Sequence, residues 1–89
     1  MAIIKKKILP EYFDLVESGK KKFEIRLADF PVTEGDTLIL EEWTGLGPDR
    51  KPTGRVIEKK VGYFIKYDLN KFGQKKEIEE KGLYVLGLE

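Results

Sequence analysis

The chain contains no cysteine and no histidine. The first absence excludes disulfides and thiol catalysis. The second removes the commonest general base and metal ligand, and with it any serine chemistry that relies on a histidine base. Met1 is the only methionine, and Asn70 and Gln74 are the only amides. No stretch approaches the roughly 20 apolar residues of a membrane span. Residues 1–9 are too short and too lysine-rich for a secretory signal. The expectation is a soluble cytoplasmic protein with no membrane partner, with a monomer favoured. Nor is there an excess of charge of one sign. Seventeen basic residues meet sixteen acidic ones, for a net charge of +1, so attraction to phosphate has to come from local clustering.

Charge of both signs is abundant, at 37% of the chain. Mostly Lys and Glu with few labile residues is the bias of hyperthermophile proteins. Eighty-nine residues make one domain, 1–89, with a single modest core. Residues 2–9 begin and end apolar and predict a first strand. Pro10 suits the first position of a helix, where its missing N–H costs nothing. Tyr12, Leu15 and Val16 fall at i, i+3, i+4 and predict one buried helix face. Gly19 supplies the left-handed conformation that ends the helix.

The next stretch alternates. Phe23, Ile25 and Leu27 take one side, and Lys22, Glu24 and Arg26 the other, which predicts a half-buried strand with a charged outer face. Glu34-Gly35-Asp36 is turn chemistry. Residues 37–43 predict the next strand. Residues 44–54 hold three Gly and two Pro and predict a loop. Residues 55–67 are rich in strand formers, with Gly62 as a bend. Residues 68–81 are polar and predict a loop or a short turn of helix, and residues 83–88 a closing strand. The order β-α-β-β-β-β argues for an α+β barrel with one early helix.

Lys21, Glu24 and Arg26 converge where the helix end meets the second strand. Arg offers a planar bidentate fork to phosphate, and Lys a point charge. Glu24 is a suitable acceptor for a base exocyclic amine, as carboxylates are for cytosine N4. The same charges also suit simple pairing across a solvated surface. Lys22 and Arg55 are further candidate ligand contacts. Trp43, beside the Gly/Pro loop, can stack on a base or pack over the end of the fold. Lys5-Lys6-Lys7, Lys59-Lys60 and Lys75-Lys76 are basic runs, but strand alternation splits neighbours between faces. Glu41 and Glu42 diverge on a strand for the same reason. Glu77, Glu79 and Glu80 lack His or Asp partners, and hard cations need several converging oxygens. No metal and no cofactor are expected.

Several segments together resemble the ASCH domains, most closely the small subgroup DUF3850. They are Ile8-Leu9-Pro10-Glu11-Tyr12-Phe13, the Gly19-x-Lys21-x-x-Glu24-x-Arg26 segment, Glu34-Gly35-Asp36-Thr37-Leu38, Thr53-Gly54-Arg55, and the closing Gly82-Leu83-Tyr84-Val85-Leu86-Gly87-Leu88. The resemblance covers nearly the whole chain. It implies a small PUA-like mixed β-barrel with the early helix packed against it. It also implies a cleft between helix and barrel that takes RNA or a nucleotide or nucleoside. One ASCH branch hydrolyses N4-acetylcytidine with a lysine and a threonine of this segment and a distant glutamate. Lys21 matches the lysine. The threonine position holds Glu24, and a carboxylate does not replace a hydroxyl nucleophile. Three readings stand: an RNA or nucleotide binder at Lys21, Glu24 and Arg26; a small amidohydrolase on a modified nucleoside, with Lys21 and Glu24 as its catalytic candidates; and a protein-interaction module using residues 44–54.

Overall fold

The computed structural model describes residues 1–69, 73–86 and 88. The elements run β1 (Ile3–Ile8), α1 (Pro10–Glu17), β2 (Thr37–Thr44), a 3-10 turn (Gly47–Asp49), β3 (Lys51–Lys60) and α2 (Lys75–Lys81). β2 is the central strand. β1 pairs with it in parallel, Ile4 opposite Leu38 and Lys6 opposite Leu40. β3 pairs antiparallel on its other edge, Ile57 opposite Leu40, with an irregularity between Glu41 and Trp43. A parallel pair needs a long crossover. α1 and the segment after it supply that crossover, and this segment carries the candidate site.

Pro10 opens α1, and Gly19 (φ +81) follows its end. The Ser18 N–H donates to the Asp14 carbonyl (3.0 Å), and the Gly19 N–H donates to the Val16 carbonyl (3.1 Å). The Lys21 N–H then returns to the Leu15 carbonyl at 2.9 Å. The chain is thereby turned back along the helix, and the site segment starts from a fixed point.

Ile8, Phe13, Val16 and Leu40 form the core, with Leu38 and Ile57 packed against it. The helix face differs from the predicted one. Phe13 and Val16 meet the sheet, whereas Tyr12 is 44% exposed and Leu15 half-buried. An eight-residue helix has room for one sheet-facing pair at i, i+3, and the Phe13 ring fills the space over Leu40.

The predicted closed barrel is not formed. Among the described residues the sheet is three-stranded and open. Residues 22–27 join no ladder: β1 and β3 already occupy both edges of β2, and no described strand pairs with this segment. β3 starts at Lys51, inside the predicted loop, since Lys51 and Pro52 already face Thr44 and Trp43 across the ladder. It ends at Lys60, before Gly62, so residues 61–67 add no strand. Residues 83–86 and 88 likewise form no strand; Gly87 lies outside the described residues. α2 gives the predicted polar segment its turn of helix, and the rest of that expectation at residues 70–72 also lies outside them. No helix among the described residues is long and apolar enough to cross a membrane.

Leu40 is fully buried and Leu27 is 82% exposed. Leu40→Ala should therefore lower unfolding free energy by about 2–5 kcal/mol through lost burial and the cavity left behind. Leu27→Ala should stay within about 0.5 kcal/mol of the parent. Urea denaturation of both variants checks this; equal losses would mean that the core is misplaced.

Candidate functional site

Beside α1 the returning segment encloses a cleft of about 660 Å³, within the range of small-molecule sites. Its apolar wall includes Ile8, Leu9, Tyr12, Leu15 and Phe23, and its charged wall Lys20, Lys21, Glu24 and Arg26. Tyr12 and Leu15, absent from the core, are thus accounted for: the helix turns Phe13 and Val16 to the sheet and its neighbouring side to the cleft.

Glu24 organises the charged wall. Lys21 Nζ donates to Glu24 Oε1 at 2.7 Å and to the Phe23 carbonyl at 2.8 Å. Arg26 Nε donates to Glu24 Oε2 at 3.0 Å, and an outer guanidinium nitrogen reaches the same oxygen at 3.0 Å. The three side chains are 17–29% exposed, so they are neither freely solvated nor sealed. Lys21 Nζ also stands 5.0 Å from the centre of the Phe23 ring and 5.6 Å from that of Tyr12. The cleft therefore combines cationic donors, one acceptor carboxylate and two aromatic rings. Its lining includes no serine, threonine or cysteine among the described residues.

The other candidates lie elsewhere. Lys22 points away from this cleft and lines a second cavity beyond the segment. Arg55 lies outside both linings. It is held between Glu42 and Asp14, with its guanidinium 4.3 Å from the centre of the Phe13 ring. Trp43 also lies outside both linings; its Nε1–H donates to Glu41 at 2.6 Å, and Lys7 Nζ sits 3.9 Å from its ring centre. Among the described residues, no group of three acidic side chains is placed to hold a metal.

The family described as Domain of unknown function (DUF3850) matches residues 3–87. The chain belongs to that family. The "Uncharacterized 12.9 kDa protein in GpA 3'region" of Escherichia phage P2 is 45% identical over 53 residues, 58% of this chain and 49% of the phage protein. The chain thus spans about half the length of this curated relative. No solved structure matches it.

Sequence reasoning missed the buried polar network of this DUF3850 domain. Glu42 is 3% exposed. Arg55 grips it twice, Nε to Oε1 at 2.9 Å and an outer nitrogen to Oε2 at 2.6 Å. Thr53 Oγ1 adds a bond at 2.6 Å, and Arg55 reaches on to Asp14 of α1 at 3.1 Å. The signal was available: adjacent glutamates on a strand must face opposite sides, so one of Glu41 and Glu42 had to lie under the helix. A second buried carboxylate, Asp36, accepts from the N–H groups of Ala2 and Thr33 (both 2.8 Å) and from the Thr33 hydroxyl (3.0 Å). It ties the chain start to the turn before β2.

Both carboxylates are held below their ordinary values. For Glu42 the Arg55 and Thr53 hydrogen bonds are responsible, against an opposing effect of burial. For Asp36 the N–H groups of Ala2 and Thr33 act first. The same pairing with Glu42 raises Arg55. Because each carboxylate binds its proton more weakly in the folded chain, its ionised form stabilises the fold. That contribution is complete above the unfolded values of about 4 and is lost as pH falls through the lower folded ones. Urea midpoints should therefore be level near neutrality and fall as pH drops below about 4.5. Glu42→Gln should start lower at neutral pH and show a shallower acid slope. A slope identical to the parent's would remove Glu42 from this account.

Proposed function

We propose that this domain binds an RNA or nucleotide-derived ligand in the cleft between α1 and residues 20–26. The observation that carries the reading is the composition of one wall: Lys20, Lys21 and Arg26 around the single carboxylate Glu24, facing Tyr12 and Phe23. Arg and Lys supply charge-assisted hydrogen bonds to phosphate. The rings supply stacking that tolerates any base. Glu24 accepts from an exocyclic amine such as cytosine N4. The likeness of the Gly-x-Lys-x-x-Glu-x-Arg segment to ASCH domains, and through them to the PUA-like superfamily, supports the same reading.

A second reading is favoured by one contact. The Lys21–Glu24 pair at 2.7 Å lies inside the cleft, and a lysine–carboxylate pair can hand a proton to or from a bound water. With no hydroxyl nucleophile in the cleft's described lining beyond Tyr12, hydrolysis of an N4-acylated cytidine there would have to use water directly.

One panel separates the two. Cytidine monophosphate, cytidine and N4-acetylcytidine are titrated by ligand-observed NMR, with product analysis of each sample. The monophosphate should bind, and Lys21→Ala and Arg26→Ala should each weaken it by about tenfold, near 1.4 kcal/mol, without product. Formation of cytidine and acetate, abolished by Lys21→Ala, would replace the binding reading with the hydrolytic one. Monophosphate affinity unchanged in both variants would remove this cleft from the proposal.

A further inference from the structure

The second cavity, about 430 Å³, lies on the far side of the same segment. Lys21, Phe23 and Glu24 line both cavities, so a single run of chain is the wall between them. Beyond that wall the second cavity is lined by Lys22, by Lys59 and Lys60 at the end of β3, and by Tyr63 and Phe64. Tyr63 is 81% exposed and Phe64 42%, which leaves ring surface available beside the lysines.

The charge of the molecule is concentrated here. Lys7 is set aside because its ammonium sits over Trp43. The two linings then hold six of the chain's seventeen basic residues and one of its sixteen acidic ones. The remainder of the chain is net negative. In a protein of net charge +1 the two linings thus carry a local excess of positive charge, and such clustering attracts an anion. A mononucleotide occupies one side of the wall and leaves the lysines of the other side unneutralised. The two cavities also repeat one design, cationic side chains next to an accessible aromatic ring. That is the combination single strands use, backbone on charge and bases on rings.

We propose that the two cavities are one track, which a single-stranded nucleic acid follows across residues 21–24. Its phosphates run along Lys21, Lys22 and Lys59, and its bases stack first on Tyr12 and then on Tyr63. The proposal rests on the reading of the first cleft as a nucleotide site and adds to it the ligand class, an oligonucleotide rather than a nucleotide.

The test uses oligocytidylates of one, two, four and eight nucleotides, titrated at several salt concentrations by calorimetry. The parent is compared with Lys22→Ala/Lys59→Ala, which changes the second cavity alone. Joining two subsites makes the second contact intramolecular, so the octamer should bind the parent at least about thirtyfold tighter than the monomer, beyond the roughly eightfold given by its number of registers. The double variant should leave monomer affinity unchanged and weaken the octamer about tenfold. Its log–log salt slope should be shallower by about 1.4, since each lysine neutralising a single-strand phosphate contributes about 0.7. An octamer gain no larger than the register count, or a double variant equal to the parent on the octamer, would overturn the track and leave the first-cleft reading standing. Failure of the parent to bind any length would overturn both.

Discussion

The buried Glu42 carboxylate is the constraint on which β2, β3 and α1 converge. It lies on the central strand beneath α1, at the irregularity in the β2–β3 ladder. A lone carboxylate there would be costly, because a charge taken out of water needs both a partner and hydrogen bonds. Arg55 and Thr53 provide them from β3, and Arg55 continues to Asp14 on α1. Three elements are thereby tied at one point. The Arg55 guanidinium also covers the Phe13 ring, so the polar network and the apolar core meet on the same helix. Breaking the pair would strand a charge under α1 rather than expose one to solvent.

How far the fold was legible in the sequence depended on whether a pattern reported backbone or partner. Pro10 and Gly19 mark α1 through their own backbone chemistry, and the structure places both where their conformations require. The alternation over residues 22–27 held only in part: Lys22 turns to the second cavity, and Ile25 and Leu27 are 67% and 82% exposed rather than half-buried. Glu24 and Arg26, two apart, do meet on one side. Alternation says nothing about whether a neighbouring strand accepts the backbone hydrogen bonds, and no described strand does. The predicted barrel failed for the same reason, since closure is a property of pairing and not of strand-forming composition. The helix face was misassigned because Tyr12-Phe13 and Leu15-Val16 offer two apolar pairs on an eight-residue helix. Only the sheet decides which pair is core and which faces the cleft.

The candidate site was legible in part for a related reason. Lys21, Glu24 and Arg26 are local in sequence, and local charge pairs need no long-range fold to be foreseen. Arg55 was expected near them, but its partners are 13 and 41 residues away, and that separation is set by the sheet. Glu42 was passed over because two adjacent glutamates were weighed only as metal ligands. Their more basic consequence, that one must be buried on a two-faced strand, follows from strand geometry alone.

On the proposed reading, Glu24 also bears on what kind of anion suits the cleft. Its carboxylate already accepts from both Lys21 and Arg26. A simple anion entering the cleft competes for those donors while facing a like charge a few ångströms away, and like charges at that range oppose binding. A ligand with an amine donor changes the balance. The amine takes up the carboxylate that the phosphate displaces from its cations, so each polar group in the cleft keeps a partner. Leaving one unpaired carries a cost, reduced here because the three side chains keep partial access to water. On the proposed reading, the cleft would therefore discriminate by pairing rather than by charge alone, favouring molecules that carry a phosphate and an amine-bearing base on one frame over inorganic anions of the same charge. Discrimination of that kind would need Glu24 as much as it needs the lysines, since its carboxylate is the shared acceptor of Lys21 and Arg26.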